Sequence, residues 1–228
     1  MRGWDVVTFD CYGTLIDWDG GIAAAFRGAL AADRVSLDLD RVLAAYHELE
    51  PVVQAERFRS YGDVLTETAR RVATRLGWAL PEARARFLPE SLPGWTPFAD
   101  TNAALGRLAR AGCRLGILSN VDDDLLAGTR RHFTETFDPT LIITAQQVRS
   151  YKPAAAHFEA ARAKLAGQRW LHAAQSYFHD VVPARNLGIP VAWINRKGET
   201  PPQPSGAVAE FRTLGEFADW MTAGEFSR

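Results

Sequence analysis

The chain of 228 residues is poor in several things that would point elsewhere. It has two cysteines, Cys11 and Cys113. That is too few for a disulfide framework and suits a reducing compartment. It has no apolar run near the roughly 20 residues that a membrane helix requires. The opening segment, Met1-Arg2-Gly3-Trp4-Asp5, is interrupted by charge and does not read as a signal peptide. Excess charge of one sign is also missing: 26 Lys and Arg stand against 27 Asp and Glu, which gives no reason to expect nucleic acid or an anionic membrane as partner. The five histidines show no metal-binding spacing such as His-Glu-x-x-His. With 47% hydrophobic and 23% charged residues, wholesale disorder is excluded. These features together predict a globular, cytoplasmic protein.

What is present is an alternation of two textures. Val6-Val7-Thr8-Phe9 is a short apolar, β-branched run that predicts a buried strand. From about Gly20 to Leu92 the chain is rich in Ala, Arg, Glu and Leu, with helical spacing at Val42, Leu43, Tyr46 and Leu49 and again at Val64, Leu65, Val72 and Leu76. Pro93-Gly94-Trp95-Thr96-Pro97 punctuates the return. Strands are then predicted at 114–118, 141–144, 170–174 and 191–194. Helices are predicted at 101–110, 125–133, 153–165, 181–187 and 211–221, and a proline-rich loop at 200–206. Continuous apolar strands alternating with helices predict an α/β fold, a parallel sheet between helix layers. The helical block is then an inserted cap at 18–92, and the core comprises 1–17 and 93–228.

Ligands of such sheets bind beyond the carboxyl ends of the strands. Reading there gives Asp10 with Thr14, then Ser119-Asn120, then Lys152, then Gln175-Ser176 with Asp180. Two carboxylates, a lysine and small polar donors converging at one edge predict a site, since buried charges cost desolvation. Simpler readings stand beside this one. Ser119-Asn120 would start the next helix, with Asp122-Asp123-Asp124 as acidic first-turn residues. Lys152 before Pro153, at a first helical position, is equally a solvated surface group. Asp180 would cap the helix beginning at Val181. The strand pleat turns Cys11 away from Asp10 and into packing.

These residues resemble the haloacid dehalogenase superfamily. Phe9-Asp10-Cys11-Tyr12-Gly13-Thr14-Leu15 is similar to its first motif, Leu118-Ser119-Asn120 to its second and Tyr151-Lys152-Pro153 to its third. Gln175-Ser176-Tyr177-Phe178-His179-Asp180 stands where the fourth lies. Trp193-Ile194-Asn195-Arg196 resembles the strand that follows in the 2-haloacid dehalogenase subgroup. The resemblance implies a Rossmann-like core with a helical cap and catalysis by Asp10, Lys152 and Asp180. Asp10 attacks C2 of a short 2-haloacid and Asp180, with Lys152 nearby, orients water onto the ester. Thr14, Ser119 and Asn120 bind Asp10 or the substrate carboxylate. Tyr12 occupies the place where phosphatases of the superfamily carry a second aspartate, the acid and base for an alcohol leaving group that a halide does not need.

The resemblance implies no required cofactor. The alternative is a Mg2+-dependent phosphatase holding its ion on Asp10 and Asp180, which neutral Gln175 opposes. It also implies a possible homodimer. In the dehalogenases a cap arginine receives the halide. Here that stretch reads Leu43-Ala44-Ala45-Tyr46-His47-Glu48, so Arg41, one turn before Ala45, is the candidate, against a solvated arginine. Gln175 and Tyr177 replace a serine and an asparagine of the subgroup. A non-catalytic binding protein on the same fold is the third reading, and a retained Asp10–Lys152 pair argues against it.

Overall fold

The computed structural model describes residues 3–201 and 203–223. Six strands form one parallel sheet: β1 (Val6–Phe9), β2 (Arg114–Ser119), β3 (Ile142–Thr144), β4 (Trp170–Ala174), β5 (Val191–Ile194) and β6 (Ala209–Phe211). Their order across the sheet is β3-β2-β1-β4-β5-β6. The chain therefore winds outward from β1 to one side, then returns to β1 and winds to the other. The reversal lies between β1 and β4, where Val6 is level with Trp170, and β2 flanks β1 on its other side with Arg114 level with Val6. Crevices at such reversals are where open sheets hold ligands.

Pleating sorts the side chains of β1. Val7 and Phe9 face one way, where Phe9 meets Phe217 edge to face at 6.3 Å. Val6, Thr8 and Asp10 face the other, over a layer that includes Phe158, Ala161 and Trp193. Cys11 follows Phe9 in phase and is fully buried, and both Cys11 and Cys113 are free thiols. Burial raises the Cys11 thiol well above its ordinary range, helped by the Asp10 charge, which makes it an inert packing group.

The helices of this unit are α5 (Thr101–Arg110), α7 (Ala145–Val148), α8 (Ala156–Lys164), α9 (Val182–Asn186) and α10 (Leu214–Thr222). Three predicted boundaries are corrected. The helix predicted from residue 211 starts at Leu214, because Thr213 and Glu216 form a reciprocal capping box, and Phe211 ends β6 instead. That strand escaped prediction: it is three residues long, at the sheet edge, with Glu210 at its centre. The helix predicted from Pro153 begins three residues later. A wide π-helical turn, Tyr177–Val181, precedes α9 and carries Asp180 inside it rather than as its cap.

The inserted unit comprises Trp18–Thr96 with Val121–Arg131, and the sheet unit comprises the stretch up to Asp17, Pro97–Asn120 and the chain from His132 onward. Its helices are α1 (Trp18–Asp33), α2 (Leu39–Glu56), α3 (Tyr61–Arg75), α4 (Phe87–Ser91) and α6 (Asp123–Thr129). No strand occurs within 18–96. The boundary predicted at residue 92 lies at Thr96, and 121–131, predicted as core, packs with the insert. Asp122 shows why. Its carboxylate accepts the backbone N–H groups of Tyr61 and Gly62, both at 2.8 Å, so it caps α3 and makes no capping bond to its own helix. An aromatic cluster fills the unit, with Trp18 against Trp95 at 5.1 Å and Tyr46 against Phe26 at 5.9 Å. Among the described residues no helix is long and apolar enough to cross a membrane.

The tightest point of the sheet is Gly116 in β2. A Cβ there would come within 2.7 Å of the Leu141 Cβ, 2.9 Å of its carbonyl oxygen and 3.0 Å of the Thr8 Cγ2. Gly116→Ala is therefore expected to lower unfolding free energy by about 1–3 kcal/mol through overpacking. Urea titration checks it, and an unchanged midpoint would contradict this packing.

Candidate active site

The chain leaves β1 at Asp10 and turns at once. Gly13 adopts φ +91°, a conformation that side chains disfavour, and its N–H donates to the Ile16 carbonyl at 2.8 Å. The turn brings Thr14 back over the strand end. Its hydroxyl accepts the Gln175 N–H at 2.9 Å and donates to Asp10 Oδ2 at 2.9 Å. Arg196 fastens the turn from behind. Its Nε and Nη2 donate to the Thr14 carbonyl at 3.2 and 3.0 Å, and its guanidinium pairs with Asp100 and lies 4.0 Å over the Phe98 ring. Asp100 in turn accepts the first N–H groups of α10, from Leu214 and Gly215.

Lys152 arrives from the loop after α7. It is 1% exposed, so the surface-lysine reading is corrected. Its ammonium donates to Asp10 Oδ1 at 3.0 Å, to Asp180 Oδ1 at 2.6 Å and to the Leu118 carbonyl at 2.9 Å. All three ammonium hydrogens are thereby used. The loop is held by Asn120, whose amide accepts the Lys152 N–H at 2.7 Å and donates to the Lys152 carbonyl at 3.0 Å. Asn120 was expected to bind Asp10 or substrate; both ends of its side chain are instead engaged by the Lys152 backbone.

The electrostatics follow from one cation enclosed by two carboxylates. Burial opposes the ionised form of Asp180, but Lys152 and the hydrogen bond from His172 prevail and hold it at about 2. Burial likewise opposes the charged Lys152, and the two carboxylates overcome it and raise the lysine above its usual range. For Asp10 burial wins: it lifts the carboxyl above 3.8, with Lys152 opposing and the Asp180 charge adding. Asp180 thus contributes stability that is present above the ordinary carboxylate range and lost as pH falls through about 2. Lys152 contributes stability present below its ordinary value and lost only above its raised one.

The remaining predicted residues divide. Ser119 is buried, and its Oγ has no hydrogen-bond partner among the described residues. Tyr12 follows Asp10 half-buried. Ser176 caps the turn it opens, accepting the His179 N–H at 3.1 Å, and Tyr177 packs on Trp193 at 5.4 Å. Gln175 reaches Glu199 at 3.3 Å. A cleft of about 440 Å³ lined by Gln175, Tyr177, Phe178, Trp193 and Glu199 contains none of Asp10, Lys152 or Asp180. Arg41 lies in the other unit, exposed on α2.

Two histidines join the cluster: His157, at or beside the place of the family's tyrosine after the lysine motif, and His172, which sequence reasoning misses. His157 is held nearly neutral, at about 3, by burial and by the Lys152 charge, and its Nε2 meets the Ser119 carbonyl at 3.1 Å. His172 lies 3.0 Å from Asp180 Oδ1. Its signal was present: a histidine in the middle of an otherwise apolar buried strand must find polar partners.

A parallel sheet whose central strand delivers a buried carboxylate–ammonium–carboxylate cluster to the topological reversal defines an α/β enzyme. A model of the haloacid dehalogenase-like hydrolase family matches residues 4–174, and the chain belongs to that family. The (S)-2-haloacid dehalogenase H-109 of Pseudomonas putida is 28% identical over 226 residues, covering 97% of this chain and 99% of that one. A phosphoglycolate phosphatase of Rhodospirillum rubrum is also 28% identical over 226 residues, covering 94% of this chain and 90% of its own. In fold, a solved L-2-haloacid dehalogenase superposes with a TM-score of 0.83 at 22% identity, covering 97% of this chain and 100% of that one.

Lys152→Met would leave two buried carboxylates without a counter-ion. It is expected to destabilise the protein by about 3–5 kcal/mol near pH 7. Without the cation both carboxyls rise above their ordinary values, so the deficit shrinks as pH falls toward 5 and they protonate. Unfolding curves at pH 5 and 8 check this, and equal deficits would contradict it.

Proposed function

We propose that the chain hydrolyses short 2-halocarboxylic acids through an ester formed on Asp10. The observation that carries this reading is the setting of Asp10: at the end of the central strand, one oxygen on Lys152 and the other on Thr14, with Asp180 on the same ammonium. The names of the relatives support it at the level of substrate.

The chemistry is carboxylate nucleophilic catalysis. An Asp10 oxygen attacks C2 of the substrate from the side opposite the halogen, the carbon–halogen bond breaks and halide departs with inversion. Lys152 and Thr14 hold the carboxylate in one orientation, which removes part of the entropic barrier. The burial that raises the Asp10 pKa makes it a better nucleophile than an ordinary, fully hydrated carboxylate. Water then attacks the Asp10 carbonyl carbon, giving a proton to Asp180. The bond from that carbon to the substrate oxygen breaks, the 2-hydroxy acid leaves with that proton, and Asp10 loses the second water proton to solvent.

A Mg2+-dependent phosphatase is the competing reading, favoured by the phosphatase relative. The residues fit it poorly. Mg2+ asks for several hard oxygen ligands in octahedral array. Here the two carboxylates are joined by an ammonium, and Gln175 is neutral. Tyr12 also stands where the acid for an alkoxide leaving group would be needed.

Halide release from L-2-chloropropionate and phosphate release from an aryl phosphate, each with and without EDTA, separate the two. Halide release indifferent to EDTA is expected, and EDTA-sensitive phosphate release without halide would defeat the proposal. A single turnover in oxygen-18 water is expected to label Asp10; an unlabelled Asp10 would mean direct attack by water. Asp10→Asn should reduce activity to background. For the wild type, kcat/KM is expected to fall on the acid side with a midpoint above 3.8, since the nucleophile must be ionised.

A further inference from the structure

Asp180 has one engaged oxygen and one free. Oδ1 accepts both from Lys152 at 2.6 Å and from His172 Nε2 at 3.0 Å. Oδ2 is buried with no hydrogen-bond partner among the described residues. Buried carboxylate oxygens are ordinarily satisfied, so an orphan beside Asp10 marks a position that another atom is meant to fill.

The group behind Asp180 is built as a unit. His172 and Thr8 are level neighbours on β4 and β1, and Thr8 Oγ1 lies 2.9 Å from His172 Nδ1. Trp170, two residues before His172 and so on the same face, donates its indole N–H to Thr8 Oγ1 at 2.7 Å. All of these side chains are buried, and Phe158 packs its edge on the imidazole at 5.3 Å. An indole N–H only donates, so Thr8 Oγ1 is fixed as its acceptor. A carboxylate only accepts, so Nε2 of His172 must bear the proton of the bond to Asp180. The ring is thus pinned at both nitrogens, and it pins one carboxylate oxygen.

We propose that His172 is a positioning residue for the hydrolysis of the covalent intermediate: with Thr8 and Trp170 behind it, it locks the Asp180 carboxylate so that Oδ2 alone faces the attacking water. This rests on the reaction assigned above. It gives the two carboxylates of the site different duties. Asp10 needs Lys152 and Thr14 for the first step; Asp180 needs Lys152 and His172 for the second. In that step Oδ2 takes one proton from water as its oxygen bonds to the Asp10 carbonyl carbon, and returns the proton to the departing 2-hydroxy acid as its bond to that carbon breaks. Loss of His172 frees Asp180 to rotate and spoils this geometry without touching the nucleophile.

The test is rapid-quench halide release with His172→Phe, which keeps a ring against Phe158, and His172→Gln, whose amide can still donate to Asp180. For His172→Phe we expect a halide burst within about threefold of wild type, kcat lowered about 10- to 100-fold, and a mass-labelled Asp10 peptide accumulating during turnover. His172→Gln is expected to recover part of kcat. Wild-type kcat in His172→Phe, or a burst that slows in step with kcat, overturns the proposal. Nitrogen-15 NMR of wild-type histidines gives a readout independent of reaction and of the variants' folding. An exchange-protected proton on His172 Nε2 is expected, and an unprotonated Nε2 overturns the assignment. A wild type that releases no halide defeats the dehalogenation reading alone, and the NMR result then decides His172.

Discussion

One ammonium group enclosed between two carboxylates sets the terms for the sheet's carboxyl edge. Lys152 cannot be desolvated alone, and neither can Asp10 or Asp180; each is tolerable because the other two are there. The three come from separate parts of the chain and meet only if the strand order places β1 between β2 and β4. Even Leu118, an apolar residue of β2, takes part through its carbonyl. The cluster still carries one negative charge more than it neutralises, and the imbalance falls on Asp10, the carboxylate best placed to use it.

The sheet was legible because its strands are continuous apolar runs, which only a doubly covered parallel sheet requires. The same rule located the polar edge. It failed where polarity and shortness hide a strand, as at Ala209–Phe211, and where a capping pair decides a helix start, as at Thr213 and Glu216. Both capping residues are visible in the sequence, and the helical spacing was read through them. Asp122 is a different failure. Its neighbours made it look like a first-turn residue, and nothing local announces that its carboxylate serves a helix sixty residues earlier in the chain. Partners that distant are set by packing, which hydrophobic period does not encode.

The site shows the same division. Asp10, Thr14, Lys152 and Asp180, which the sequence places just after strands, are brought together in one cluster. His172 and Arg196 do not react with anything in the proposed chemistry and so attract no functional reading, yet one holds Asp180 and the other holds the Thr14 turn. Asn120 reads in the sequence as a ligand-binding amide, and its side chain clamps the Lys152 loop. Residues that touch substrate resemble chemistry in a sequence; residues that hold them resemble ordinary polar side chains, and only distances tell them apart.

The Arg196 clamp also bears on the order in which a working site can come into being. Asp10 precedes all its partners in the chain, and its strand lies mid-sheet with one neighbour starting at residue 114 and the other at residue 170. The turn behind it is secured by residue 196, and Asp100, on which Arg196 leans, is tied in turn to the start of α10. A chain emerging from the ribosome therefore carries its carboxylate long before it has the cation, the second carboxylate or the turn geometry to use it. The cluster and its turn therefore come together only after the chain through Arg196 and the start of α10 has been made.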